Sequence, residues 1–361
     1  MKRSFPVILL LFVLVFFPGC GKKGPLSPPP LRIPQSVENF SLSQRGAQFV
    51  LSWINPTAYV DGSPIKEISE IEIWLMEEGS KEAGQRKITR REFEDKARII
   101  ARIFKQKFPL FHETGRATSR LIFIYRPENG IRTQETYAFA LRVRDERRRV
   151  SEFSDPLSVV TQALPRPPVN VRATVFKNCI LLRWDAPPES SDQSVPVQVV
   201  GYNLFRSSDK EPPFIVNPSL VKGTEYKDAD FAFGQKYRYF IRAVASEGPP
   251  LLESDDSEVV EVLARDTFPP SSPSGLAAIA GTDYIALSWE ASKEADIAGY
   301  KVWRQEAGGT EFILIASLGP ADHSFIDSAV EKNKRYDYAI TALDSAGNES
   351  QRSAPVPAVI R

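Results

Sequence analysis

Few side chains in this chain are suited to covalent chemistry. The 361 residues hold two cysteines and two histidines. His112 and His323 lie far apart, and neither has a Cys or His neighbour at metal-ligand spacing. Neither sits in a Gly-x-Ser-x-Gly or His-Glu-x-x-His context, and no glycine-rich phosphate loop occurs. Carboxylates gather in two short runs, Glu225, Asp228 and Asp230, then Asp327 and Glu331. They read as turn residues whose side chains accept local hydrogen bonds, and no acid–base pair is assigned among them. The reading is therefore of a protein that is not an enzyme, with no catalytic residue, no metal and no cofactor. What remains is the thiol of Cys20, a nucleophile placed just after an apolar run from Phe5 to Phe17.

That run follows the basic Met1-Lys2-Arg3 and is too short for a mature span, which needs roughly 20 residues. It matches the apolar region of a signal peptide over 1–19. Phe17-Pro18-Gly19-Cys20 resembles a lipobox, although Phe17 and Pro18 stand where an aliphatic and a small residue are usual. The resemblance implies that Cys20 takes a diacylglyceryl group and, after cleavage, a further acyl chain. Two or more chains hold a protein stably on a bilayer. Residues 20–36 then form a proline-rich tether, and proline favours an extended chain. Gly21 is not the aspartate that retains lipoproteins on the inner membrane of enteric bacteria, so the resemblance implies the outer membrane. The Cys-Gly-x-Lys-Gly-Pro-Leu stretch also resembles the start of small lipoproteins that assist assembly of the lipopolysaccharide transport translocon.

The formal net charge is +1, so no global field selects nucleic acid. With Cys20 committed to lipid, Cys179 is left single and no disulfide framework is available. Burial alone must hold the folded part together, and 42% apolar content permits that. Proline is abundant (29) and methionine scarce (2), as in chains of many strands joined by turns.

Three motifs recur in fixed order. The first alternates and ends in tryptophan, at Trp53, Trp184 and Trp289. The second is Ile71–Trp74, Gly201–Arg206 and Gly299–Arg304. The third opens on Tyr137, Tyr237 and Tyr336. Period-2 alternation means strands with one face buried. The order, repeated about every 100 residues, resembles the fibronectin type III domain, with the tryptophan on strand B and the tyrosine near the start of strand F. The expected fold is all-β, three tandem fibronectin-type-III-like (Ig-like) β-sandwiches, with a helical insertion in the first. The domains are placed at 37–164, 165–265 and 266–361, bounded by the proline clusters Pro165–Pro168 and Pro269–Pro273. Such linkers are semi-rigid, so the three are expected to form an extended rod.

The Trp-to-Tyr spacing is 84 residues in the first repeat against 53 and 47 in the others. The excess is placed at about 77–118. Within it Thr89-Arg90-Arg91-Glu92 is a capping-box pattern. Phe93, Ala97, Ile100, Phe104 and Phe108 recur at helical steps, which predicts an amphipathic helix ended by Pro109. Its basic face, with Arg90, Arg91, Arg98, Arg102 and Lys105, is either solvated or meets an anionic membrane or a partner. Trp74, Phe205 and Trp303 occupy equivalent outward positions. They are candidates for glycan or partner contact, or else cross-strand cover. Cys179 is expected to point away from the core as a half-covered thiol.

The function expected is that of a non-catalytic cell-envelope lipoprotein, held to the membrane by lipid on Cys20. It presents its sandwiches for binding or spacing, with envelope or surface proteins or glycans as partners and no nucleic acid. The alternative is an assembly factor for the lipopolysaccharide transport translocon, acting through the lipidated N-terminus.

Overall fold

The computed structural model describes residues 32–79, 87–111, 120–195, 197–246 and 248–361. The expected signal peptide, Cys20 and most of the expected tether lie outside them, as does His112. Among the described residues, no helix is long and apolar enough to cross a membrane.

The first repeat contains β1 (Ser41–Arg45), β2 (Gln48–Ile54), β3 (Ile68–Glu78), the helix α1 (Arg90–Lys96), β4 (Arg98–Phe104), β5 (Arg120–Tyr125), β6 (Thr136–Asp145) and β7 (Leu157–Val160). The second contains β8 (Val169–Phe176), β9 (Cys179–Asp185), β10 (Gly201–Ser208), β11 (Phe214–Ile215), β12 (Glu225–Asp228), β13 (Lys236–Ser246), β14 (Leu251–Glu253) and β15 (Val260–Leu263). The third contains β16 (Ala277–Ala280), β17 (Ile285–Ser288), β18 (Ile297–Glu306), β19 (Ile313–Leu318), β20 (Ser324–Asp327), β21 (Arg335–Asp344) and β22 (Val356–Val359).

Each repeat folds the same way. Three strands face four: β1-β2-β5 against β4-β3-β6-β7, β8-β9-β12 against β11-β10-β13-β15, and β16-β17-β20 against β19-β18-β21-β22. This is the fibronectin-type-III arrangement that the three motifs imply. Trp53, Trp184 and Trp289 are at most 5% exposed and belong to three separate cores. Tyr237 and Tyr336 accept hydrogen bonds from the backbone of Ala232 and Glu331, at 2.9 and 3.2 Å, which closes the corner before the strand.

One layer of each core differs by repeat. In the second, buried Asp228 accepts from Arg206 (2.8 Å) and from the hydroxyl of Tyr239 (2.8 Å). In the third, Asp327 accepts from Arg304 and Tyr338 at the same distances. By register, the first repeat has Leu75, Tyr125 and Phe139 at these places. There the rings of Phe49, Tyr125 and Phe139 pack together instead. The aspartates do make the expected turn bonds, to Asp230 and Ala329 backbone. They are also buried anchors for an arginine, which the turn reading did not foresee.

One expectation is corrected. The helix predicted from Thr89 to Pro109 stops after Lys96. Thr89 caps it, accepting from the Glu92 amide at 3.2 Å, and Phe93 is fully buried with Met76, Ala138 and Phe153. From Arg98 the chain instead forms β4 beside β3, pairing Trp74 with Ile99 and Ile71 with Ile103. Isoleucines at 99, 100 and 103 favour an extended backbone, and the edge of β3 supplies the hydrogen-bond partners. Residues 105–111 form a 3-10 helix rather than a continuation.

The junction of the first two sandwiches holds a contact that the proline linker did not predict. The connection between β13 and β15 carries β14, which pairs parallel with β1: Ser43 opposite Leu251, Gln44 opposite Leu252, Arg45 opposite Glu253. The result is one eight-stranded sheet in which β14 joins the two domains. An unpaired strand edge is a template for another strand, and β1 would be such an edge without β14. Leu252 is 7% exposed and is part of the first repeat's core.

Candidate functional site

The joined sheet has an outer face, and side chains of alternate residues reach it. From the first repeat come Arg45, Val50, Ile122 and Ile124, and from the second Phe205, Phe240 and Arg242. Together with Leu110 and Phe111 of the 3-10 helix and Pro213, they line a groove of about 640 Å³. Leu110 is 79% exposed and Ile124 42%, so the apolar wall is open to solvent.

The groove's charges come from the seam. Arg242 donates to Glu253 and Asp256 (3.3 and 2.5 Å) and lies over the Phe205 ring at 4.1 Å. Arg45 is different: its Nε is buried without a hydrogen-bond partner among the described residues. Burial, and then the charge of Arg242, disfavour its protonated form. Burial and the neighbouring Asp256 push the Asp255 carboxyl above the usual carboxylate range. Asp255 rests on Gly46, whose φ of +51° and missing Cβ permit that approach. A desolvated guanidinium beside exposed aliphatic side chains can accept an acidic group on an otherwise apolar ligand.

The sequence-predicted residues are placed as follows. Phe205 is 8% exposed, stacked on Phe240 at 4.8 Å and covered by Arg242. Trp303 donates to Thr341 at 2.9 Å and lies under Arg352. Trp74 donates to Glu72 at 3.1 Å and meets Phe153 edge-on. Each aromatic thus has a partner from its own sheet face. Of the three, the structure brings only Phe205 to the groove.

The basic residues of the insertion are not gathered on one helix. Arg90 pairs with Asp155, Arg98 with Glu77, Arg102 with Glu70 and Glu72, and Lys105 with Glu67. Arg91 is exposed at the start of α1. Cys179 is free and, against the half-covered thiol expected, buried at 9% exposure; Leu181, two residues on along the same face of β9, is buried as well.

Sequence reasoning missed the seam. Its signal was the longer connection after β13, where Leu251 and Leu252 replace the polar turn of the third repeat. It also missed Asp266, Asp296 and Asp344, which have carboxylate oxygens within 4.8 Å of one another. Three such carboxylates are the donor type that holds a hard cation. In this structure Asp344 accepts from Asn348 backbone and side chain, both at 2.8 Å.

No protein-family model matches the chain. It is 27% identical over 239 residues to Exoglucanase B of Cellulomonas fimi, which covers 63% of this chain and 20% of that protein. It is 29% identical over 203 residues to Chitinase A1 of Niallia circulans, covering 55% of this chain and 26% of that protein. The chain therefore spans about a fifth to a quarter of the length of these relatives. Among solved structures, a two-domain fibronectin type III segment from chicken tenascin matches with a TM-score of 0.36 and 15% identity. That match covers 54% of this chain and 99% of the segment.

Proposed function

We propose that this chain is a non-catalytic cell-envelope lipoprotein, held by lipid on Cys20 in the outer membrane. Its joined first and second domains bind an envelope protein, and its third domain extends the assembly. The observation that supports binding most is the seam groove, where open aliphatic side chains adjoin the unpartnered Nε of Arg45. Covered ring faces at Phe205 and Trp303 favour a protein ligand over a sugar, which stacks on a free ring face.

The test is crosslinking and pull-down from intact cells with the whole chain. Leu110→Glu with Ile124→Glu should abolish recovery of the partner without lowering the unfolding midpoint, since both side chains are exposed. Recovery of the same partner by residues 20–36 alone would move the function to the tether and the translocon reading. Binding to purified cell-wall glycan that is lost on Trp303→Ala would replace the protein ligand with a sugar.

A further inference from the structure

The basic residues of the insertion are mostly ion-paired, so free positive charge must be sought elsewhere. It collects at the end of the first sandwich where the described chain begins. The segment after Arg32 pairs with the loop before β3: the amide of Val60 donates to Ile33 and that of Gln35 to Ala58, at 2.9 and 3.0 Å. The hairpin between β6 and β7 arrives at the same place. Arg149 lies over one side of the Tyr59 ring region at 4.4 Å, and Arg32 approaches the ring at 5.6 Å. A cleft of about 220 Å³ opens there, lined by Arg32, Lys66, Arg147 and Arg149 and by the carboxylates Glu67, Asp145 and Glu146.

The hairpin turn is built like its counterpart in the third repeat, with one change. There the turn is Asp344-Ser345-Ala346-Gly347-Asn348, and Gly347 takes φ +88°. Here it is Asp145-Glu146-Arg147-Arg148-Arg149, and Arg148 takes φ +61°. In both, the residue at positive φ donates its amide to the aspartate carbonyl, at 3.2 and 3.0 Å. Glycine suits that conformation and arginine does not. Strain held at an exposed turn is a reason to ask what the side chain does.

The local charges do not cancel. Arg149 is engaged by Asp145, and Arg32 is near Asp61. Glu67 is engaged by Lys105. Lys66, Arg147 and Arg148 have no carboxylate partner among the described residues, against one unpaired carboxylate, Glu146. The twelve residues from Cys20 to Arg32 reach at most about 43 Å, so a lipid on Cys20 keeps this end close to a bilayer. Screened attraction acts only within about 8 Å, a separation well inside that maximum reach.

We infer that the Arg147–Arg148 turn, with Lys66 and Arg32, is an electrostatic seat for an anionic lipid surface and orients the anchored protein on its membrane. The inference rests on the lipid-anchor reading. The chain from residue 20 onward carrying Cys20→Ser keeps every core residue of the described structure, the first being Val37, and cannot be lipidated. It should co-sediment with vesicles of phosphatidylethanolamine and phosphatidylglycerol, and not with phosphatidylcholine vesicles. Arg147→Gln with Arg148→Gly should weaken that partition roughly thirty-fold, with a thermal midpoint that does not fall. Unchanged partition in the variant overturns the inference, and so does equal binding to neutral vesicles. Retention on immobilised polyglutamate without vesicle binding also overturns it, in favour of an acidic protein. Palmitate labelling of the full chain in cells, with and without Cys20→Ser, tests the anchor separately. Loss of the anchor with vesicle binding retained leaves the seat standing without its tether.

Discussion

The two junctions of this molecule are made by different physics. Between the first and second sandwiches the backbone itself is shared. β14 pairs with β1, the Gly46 amide donates to the Glu253 carbonyl at 2.9 Å, and Leu252 enters the first core. Between the second and third, side chains at the surface make the link. Lys177 of the second donates to Glu294 of the third at 2.7 Å, while inside the third the Asn348 side chain donates at 3.3 Å to the carbonyl of Asp266, where the linker enters. Backbone ladders and apolar burial are short-ranged and orientation-specific, whereas a solvated ion pair tolerates many geometries. The first pair should therefore move as a unit, and the third domain should swing on it. A binding groove made by two domains requires the first kind of junction.

The contrast can be broken most forcefully at Leu252. Leu252→Asp places an unpaired carboxylate in the first core and should lower stability by about 3 kcal/mol. Denaturant unfolding followed by tryptophan fluorescence should then show a separate early transition for the first domain. Gly46→Val should cost about 1.5 kcal/mol, because φ +51° disfavours a branched side chain and Asp255 must be displaced. Hydrogen exchange should quicken at the Gly46 amide and remain unchanged in the third domain.

At the second junction the effects are smaller. Lys177→Ala should change stability by less than about 1 kcal/mol, yet broaden the distance distribution between spin labels on the second and third domains. An unchanged distribution would mean that the proline linker alone sets this angle. The smallest effect is that of acid, and it should differ in sign between the junctions. Hydrogen bonds from Lys177 and Ser271 hold the Glu294 carboxyl down at about 2, below its ordinary 4.5. Its contribution is complete above 4.5 and is lost as pH falls toward 2, so the second junction loosens there. The Asp255 carboxyl is instead raised from 3.8 by burial. Its contribution is present in the protonated form at low pH and is lost as pH rises through the raised value. Acid should thus tighten the seam while it loosens the hinge, which domain-resolved hydrogen exchange can read.

The comparison of the cores shows where sequence reading has its limits. Trp53, Trp184, Trp289 and the strand-F tyrosines were legible because alternation encodes burial directly. Asp228 and Asp327 were not legible as buried, because a carboxylate before a turn looks the same whether it faces water or an arginine. The first repeat fills that layer with Leu75, Tyr125 and Phe139, which fits the finding that a buried ion pair and a packed apolar set can substitute for one another. The helix predicted beyond Lys96 failed for a related reason. A spacing of three and four residues satisfied helical periodicity, but the free edge of β3 and the isoleucines beside it favoured a strand. At the groove, Phe205 was found by its outward parity, while Arg45, Val50, Ile122, Ile124 and Leu110 were not, since they converge only after β14 reaches β1.

The sequence by itself determined the three sandwiches, their order and the oddity of the first insertion, because those follow from local alternation and repeat spacing. Tertiary structure alone decided that two of the sandwiches share a sheet and that the insertion completes a strand layer. It also decided which arginines keep a free charge. Each of those outcomes depends on which edge or carboxylate stands opposite in space, and no local pattern of residues records that.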